Sequence, residues 1–220
     1  MRRFIGYELS TMTDEPNVTR GYGLLEGFLA KKRARMANSL IPPELRRGRI
    51  LDIGCGTIPY LLLNTQFAER YGLDKVAEDG ERAVAAGGAI ILANFDIERE
   101  EKVPFEDDYF DVVTMLAVFE HILPERLPAV AAEIRRILRP GGVYILTTPA
   151  WWTDGLLRFM ARLRIVSPAE IEEHKDGYSP EKIFSVLRQG GFAAEDIRTG
   201  YFELGMNIWA TAGKPSGSPL

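Results

Sequence analysis

The residues best suited to chemistry in this 220-residue chain are acids and glycines that directly follow or end predicted β-strands. Asp52, Gly54 and Gly56 come at the end of an apolar run, and a second apolar stretch begins two residues later. Glycines at such a turn let backbone amides approach a ligand closely at the edge of a sheet. An acid placed just before the glycines suits a ligand that carries a cationic amine.

Two further acids follow the next two predicted strands. Asp74 lies 22 residues after Asp52, the usual distance for an acid that accepts hydrogen bonds from ribose hydroxyls. The string Phe95-Asp96-Ile97 combines an acid with apolar neighbours, which suits the amino group and ring face of adenine. Asp74 and Asp96 could each simply begin a turn. Their joint position at successive strand ends instead favours an adenosine-containing ligand, either S-adenosylmethionine (SAM) or a dinucleotide.

Alternating strand and helix patterns must position these residues. We expect an α/β fold with a Rossmann-like, seven-stranded, mostly parallel sheet, an antiparallel last strand, and helices on both faces. Strands are predicted at 49–54, 71–74, 89–94, 110–116, 143–148, 192–198 and 203–211. Helices are predicted at 22–40, 58–69, 77–86, 125–138 and 179–189.

Composition narrows the function further. A net charge of −4 argues against a nucleic-acid partner. Basic residues are nevertheless concentrated between Arg20 and Arg49. They could form a solvated helix face, or they could contact an anionic partner or a membrane surface. One cysteine, Cys55, excludes an intrachain disulfide and is expected to be a buried filler. The start lacks a secretory signal and no apolar run is long enough to span a membrane, so we expect a cytoplasmic protein.

These motifs together resemble the class I SAM-dependent methyltransferases, in particular the small-molecule group that includes quinone-biosynthesis enzymes. The resemblance covers roughly residues 45–212 and is specific only as a set. The matching strings are Ile50-Leu-Asp-Ile-Gly-Cys-Gly56, Gly72-Leu-Asp74, Asn94-Phe-Asp-Ile97, Pro104-Phe-Glu-Asp-Asp-Tyr-Phe-Asp111 and Leu138-Arg-Pro-Gly-Gly142.

The resemblance implies SAM as cofactor, S-adenosylhomocysteine as product, and a role for each strand end. The glycine turn would line the methionine portion, with Asp52 near its amine; Asp74 would take the ribose, and Asp96 with Ile97 the adenine. No metal is expected, because Ala117 stands where related O-methyltransferases carry a metal-binding glutamate. The implied cofactor residues are Asp52, Gly54, Cys55, Gly56, Asp74, Lys75, Asp96, Ile97, Leu116 and Ala117.

One position departs from the family pattern. Ile58 occupies the place of the third glycine of the turn, whereas Pro59 still suits the first turn of a helix. A nicotinamide site fits less well, because its motif would need glycine at 59. The departure motivates an alternative to methyl transfer, namely a catalytically inactive SAM-fold protein that binds the cofactor or a regulatory partner.

Glu120 and His121 are the candidate catalytic residues. They follow the fourth predicted strand, at the edge that would face the methyl group, and His121 is one of only two histidines. His121 would act as a base for a protonated acceptor, with Glu120 orienting the imidazole. The alternative is that the pair caps the following loop and helix.

Residues 151–178 interrupt the strand and helix alternation and form an expected insertion. It carries three candidate substrate contacts, Trp151, His174 and Tyr178, which could instead tie the insertion down. Its apolar and arginine-rich sequence suits a lid over an apolar substrate, a docking helix, or peripheral membrane contact. The predicted domains are therefore an N-terminal helical segment (1–44), the SAM-binding domain (45–212) and a disordered tail (213–220). The sequence leaves the oligomeric state open.

Overall fold

The computed structural model describes residues 26–75, 82–85, 88–153 and 177–216. Its strands are β1 (Arg49–Ile53), β2 (Glu69–Asp74), β3 (Arg82–Ala85), β4 (Gly88–Asn94), β5 (Phe110–Leu116), β6 (Leu138–Pro149), β7 (Ile197–Phe202) and β8 (Asn207–Gly213). Its α-helices are α1 (Glu26–Leu40), α2 (Tyr60–Leu63), α3 (Leu127–Ile137) and α4 (Pro180–Gln189).

The seven expected strands are confirmed in one sheet with the order β3-β4-β2-β1-β5-β6-β8-β7. The five strands from β4 to β6 along this order are parallel, and the last strand, β8, is antiparallel to both β6 and β7. The additional strand β3 corrects one expectation, because a helix was predicted at 77–86. Residues 82–85 pair antiparallel with the outer edge of β4, which supplies the hydrogen-bond partners of an edge strand. The rest of the predicted helix, 77–81 and 86, lies outside the described residues.

Helices cover both faces of the sheet, as expected. On β1, Ile50 packs in the cluster beneath α1 and α2, whereas Leu51 and Ile53 pack in the cluster beneath α3 and α4. Because strand side chains alternate between faces, Asp52 points to the α1/α2 side. No helix among the described residues is long and apolar enough to cross a membrane.

Several element boundaries differ from the predicted ones. The strand expected at 192–198 begins only at Ile197, because Ala194–Asp196 form a 3-10 turn, and the strand expected at 203–211 begins at Asn207. Helix α2 stops at Leu63 because the buried guanidinium of Arg70 donates hydrogen bonds to the carbonyls of Leu62 (3.0 Å) and Thr65 (3.3 Å). These carbonyls are thereby satisfied without a longer helix. Lys214, assigned to the disordered tail, instead continues the pairing of β8 with β6, since its amide donates to Gly142 O at 2.9 Å.

Candidate functional site

The candidate residues lie along one edge of the sheet. Strands β1, β2, β4, β5 and β6 are parallel, so their carboxyl ends meet there, and this is where open α/β sheets bind ligands. We call it the C-terminal edge.

The glycine turn after β1 depends on two left-handed residues. Gly54 (φ +76°) and Gly56 (φ +69°) adopt a backbone conformation that side chains disfavour. A Cβ on Gly54 would lie 2.1 Å from Val118 Cγ2, so this glycine also permits a close approach of the segment after β5. A Cβ on Gly56 would meet nothing nearer than the Ile58 amide nitrogen at 4.0 Å. The Ile58 side chain therefore does not contact the position that a Gly56 Cβ would occupy.

Asp74 and Asp96 play different structural roles, although the sequence allowed both to be simple turn residues. The amide of Gly56 donates to Asp74 Oδ2 at 2.9 Å, so the carboxylate at the end of β2 holds the glycine turn. The carboxylate of Asp96 accepts from the amide of Glu98 at 3.0 Å, within its own turn. Of these two acids, only Asp74 therefore connects the ends of two strands, β1 and β2.

Three other predicted cofactor residues flank these acids. Ile97 and Cys55 are buried, and Cys55 packs against the backbone of Gly72. Lys75 is exposed and its carbonyl accepts a 3.1 Å hydrogen bond from Asn94 Nδ2, which joins the ends of β2 and β4. Ile97 and Cys55 therefore have packing roles in this structure, and Lys75 contributes its backbone.

Asp52 is buried beside a threonine that sequence reasoning missed. Thr114, opposite Asp52 in the register of β1 and β5, donates a 2.6 Å hydrogen bond from Oγ1 to Asp52 Oδ1. Burial raises the pKa of Asp52 to about 7; the Thr114 bond opposes this shift and the nearby Asp74 adds to it. In the described part of the chain, no lysine or arginine forms an ion pair with Asp52. The site thus contains a buried carboxyl group that a ligand cation would stabilise in its charged form.

Ala117 turns the chain where β5 ends. It is left-handed (φ +55°), which is uncommon for a residue other than glycine, and its amide donates to Thr147 O at 2.9 Å. This turn brings Val118 against Gly54. Leu116 and Ala117, both partly exposed, therefore lie next to the glycine turn. Their contact with the cofactor stays a prediction.

The next residues form a short 3-10 turn, Phe119–His121, which contains both catalytic candidates. Glu120 is buried, and its Oε2 accepts a 3.0 Å hydrogen bond from the hydroxyl of Thr148 on β6. His121 is partly exposed and its amide donates to Val118 O. Thr148 was not predicted; its only sequence signal is a hydroxyl at the end of an apolar strand.

The candidate substrate residues separate into three cases. Trp151 is 62% exposed at the C-terminal edge. The Tyr178 side chain is fully buried and packs edge-to-face against Phe119, with ring centroids 4.9 Å apart. The main-chain carbonyl of Tyr178 accepts a hydrogen bond from the amide of Trp151. This position favours the alternative that Tyr178 ties down the insertion. His174 and the interior of the insertion, 154–176, lie outside the described residues.

No group of three histidine, cysteine, aspartate or glutamate side chains is arranged to bind a metal within the described residues.

Part of the chain is similar to known methyltransferases. Residues 51–146 match the family model described as a methyltransferase domain. The demethylmenaquinone methyltransferase of Symbiobacterium thermophilum is 35% identical over 103 residues, which are 44% of this chain and 40% of that protein. This chain therefore spans well under two thirds of that relative.

Solved structures support the fold. A SAM-dependent methyltransferase from Archaeoglobus fulgidus superposes with a TM-score of 0.59 at 17% identity, covering 86% of this chain and 96% of that one. The [4+2]-cyclase SpnF superposes with a TM-score of 0.60 at 16% identity, covering 91% of this chain and 89% of that one. At such identities the similarity concerns the fold alone.

Proposed function

We propose that this chain is a class I SAM-dependent methyltransferase that transfers a methyl group from SAM to a small-molecule acceptor, and the match of residues 51–146 to the methyltransferase domain supports this proposal. The observation that carries this proposal is the bond from the Gly56 amide to Asp74. This bond joins the glycine turn to Asp74, which lies 22 residues after Asp52, the usual spacing for an acid that binds ribose hydroxyls. A site for an adenosine-containing ligand needs these two features side by side.

The residues present fit SAM. The left-handed glycines leave the turn without side chains, and buried Asp52 offers a carboxylate to the methionine amine. A carboxylate accepts several hydrogen bonds, so the bond from Gly56 to Asp74 is compatible with further bonds from ribose hydroxyls. Bound there, SAM would supply an electrophilic methyl group on a positively charged sulfur.

Positioning is the main catalytic contribution that we assign to the protein. An in-line displacement needs the acceptor atom close to the methyl group and collinear with its bond to sulfur, and such orientation is worth roughly 7–11 kcal/mol. The ordered ends of β1, β2 and β5, linked through Asp74 and through the contact of Val118 with Gly54, provide a rigid frame for it.

His121 is the proposed base where the acceptor arrives protonated. It lies two residues beyond Phe119, on the 3-10 turn that follows the cofactor edge. The hydrogen bond between Thr148 and Glu120 holds that turn against β6, so Glu120 acts as a positioning residue. The base is dispensable for an acceptor that is already a free nucleophile.

The acceptor is proposed to be apolar or lipid-linked. Trp151 and Leu123 expose apolar surface at the C-terminal edge, and Val118 packs beside the glycine turn. The alternative is a catalytically inactive SAM-fold protein that binds the cofactor or a regulatory partner, since a shared fold does not fix the activity.

The test is transfer of label from methyl-labelled SAM to organic and aqueous extracts of bacterial cells. Methyl transfer predicts a labelled small molecule that forms more slowly in Asp74→Ala at limiting SAM and, where the acceptor needs a base, more slowly in His121→Ala. SAM binding without any labelled product would favour the non-catalytic alternative.

A further inference from the structure

Exposed apolar side chains are concentrated at the C-terminal edge. Seven large apolar side chains are exposed among the described residues, and four of them form one strip, which we call the edge strip: Phe28, Trp151, Trp152 and Leu204. Apolar groups gathered at one place mark interaction sites more often than scattered ones do.

Close approaches between neighbouring residues make the edge strip continuous. A Cβ on Gly205, the residue after Leu204, would lie 3.8 Å from the Trp152 ring. On the other side, Lys32 Nζ lies 3.7 Å from the carboxylate of Glu203, the residue before Leu204, and 4.8 Å from the centre of the Phe28 ring. The hairpin between β7 and β8 thus connects the tryptophans to α1.

The hairpin tip holds Leu204 away from the protein. Glu203 (φ +52°), Leu204 (φ +58°) and Gly205 (φ +83°) are left-handed in succession, and Leu204 is 96% exposed. The backbone of the tip forms two turn hydrogen bonds, from the Gly205 amide to Phe202 O and from the Met206 amide to Glu203 O, both at 3.1 Å. The Glu203 side chain is also held, since Asn207 Nδ2 donates to its Oε2 at 2.6 Å. A residue keeps a strained backbone conformation only where the surrounding structure holds it, and such residues often occur at sites of interaction.

Basic residues accompany the strip. Residues 27–43 contain Lys31, Lys32, Arg33 and Arg35 and no acid. Phe28, Lys32 and Arg35 have helical spacing on the outward side of α1, opposite buried Ala34 and Ala37. The strip therefore combines tryptophan and aliphatic side chains with positive charge.

We infer that the edge strip docks on the surface of an anionic lipid bilayer. Tryptophan favours the membrane interface, aliphatic side chains insert beneath it, and lysine and arginine attract anionic headgroups. Leu204 projects from a convex tip, so a fluid apolar phase can bury it without a matching pocket, which a folded partner would have to supply. The inference goes beyond methyl transfer and does not depend on it. Docking would bring the C-terminal edge to the membrane.

The test is flotation of the full chain with vesicles of phosphatidylcholine alone, or with a quarter phosphatidylglycerol. We expect binding to the anionic vesicles only, weakened by high salt. Leu204→Asn suits the left-handed tip and should lower the bound fraction about fivefold or more. The matched control is Phe184→Gln, at an exposed apolar residue on α4 in the opposite helical layer, which should leave binding unchanged.

Two charge-reversal variants form a second matched comparison. Arg35→Glu on α1 should weaken binding, whereas Arg47→Glu, an exposed arginine beside the start of β1 at the opposite edge of the sheet, should not. Absence of vesicle binding, or equal losses in Leu204→Asn and Phe184→Gln, would overturn the inference. A dimer that Leu204→Asn dissociates would also overturn it, because a second copy would then cover the strip. Unchanged SAM affinity in Leu204→Asn would separate docking from cofactor binding.

Discussion

Thr114 Oγ1 lies 2.6 Å from Asp52 Oδ1 and is the side-chain donor to a carboxyl group buried next to the glycine turn. The Thr114 bond stabilises the charged form of Asp52, whereas burial and Asp74 favour the neutral form and raise its pKa from 3.8 to about 7. The charge state of Asp52 is therefore sensitive to pH near neutrality.

Asp52→Asn is expected to change how stability depends on pH in the cofactor-free protein. Because the folded-state pKa of Asp52 is raised, its contribution to the free energy of unfolding is lost as pH rises from the unfolded value of 3.8 through about 7. The variant does not titrate, so its stability relative to wild type should grow over this window, by at most about 4 kcal/mol. Urea unfolding of both proteins, at acidic and at mildly alkaline pH, measures the difference.

Thr114→Val provides the control for this account. Without the hydroxyl, the pKa of Asp52 should rise further and the upper end of the pH window should move upward, whereas Thr114→Ser should retain the wild-type profile. A stability difference between Asp52→Asn and wild type that is equal at both pH values would show that Asp52 does not titrate in this range.

Gly54→Ala should destabilise the protein more than Gly56→Ala. Both alanines would be left-handed, at a cost of roughly 1–2 kcal/mol each, but only a Cβ on Gly54 would collide with Val118. The additional loss in Gly54→Ala should be partly recovered by a second substitution, Val118→Ala. Denaturant midpoints of the three variants test this, and equal losses for the two glycines would refute the close approach of Val118.

Asp74→Ala should weaken SAM binding about tenfold or more, because it removes both the proposed ribose acceptor and the bond to Gly56. Asp96→Ala is the comparison, since the Asp96 carboxylate bonds within its own turn. Asp96→Ala should weaken SAM binding less than Asp74→Ala does. Calorimetric titration with SAM measures the affinity of both variants. Unchanged affinity in Asp74→Ala would exclude the ribose assignment.

His121→Ala should lower the rate of methyl transfer while leaving SAM affinity nearly unchanged, because the side chain is proposed to act on the acceptor. General bases contribute about 100-fold or more where they are needed. The loss should shrink with rising pH if the acceptor ionises by itself. Full activity at every pH would remove His121 as the base.

Sequence patterns predicted the parallel strands because each of these is an apolar run behind a turn signal. They did not predict β3, whose four residues are stabilised by the edge of β4, or the early end of α2, which depends on the distant Arg70. The roles proposed for Asp52, the glycines and Asp74 come from their spacing and from the resemblance to methyltransferases, and they stay predictions. Thr114 could not, because it lies within an apolar strand and only the register of β1 and β5 brings it to Asp52.

The most direct test of the account is calorimetric titration of the purified protein with SAM and, separately, with S-adenosylhomocysteine. The account predicts that both ligands bind at one site with micromolar affinity, and that Asp74→Ala weakens both. Absence of binding to either ligand, in protein shown to be folded, would contradict the assignment of the C-terminal edge as a SAM site.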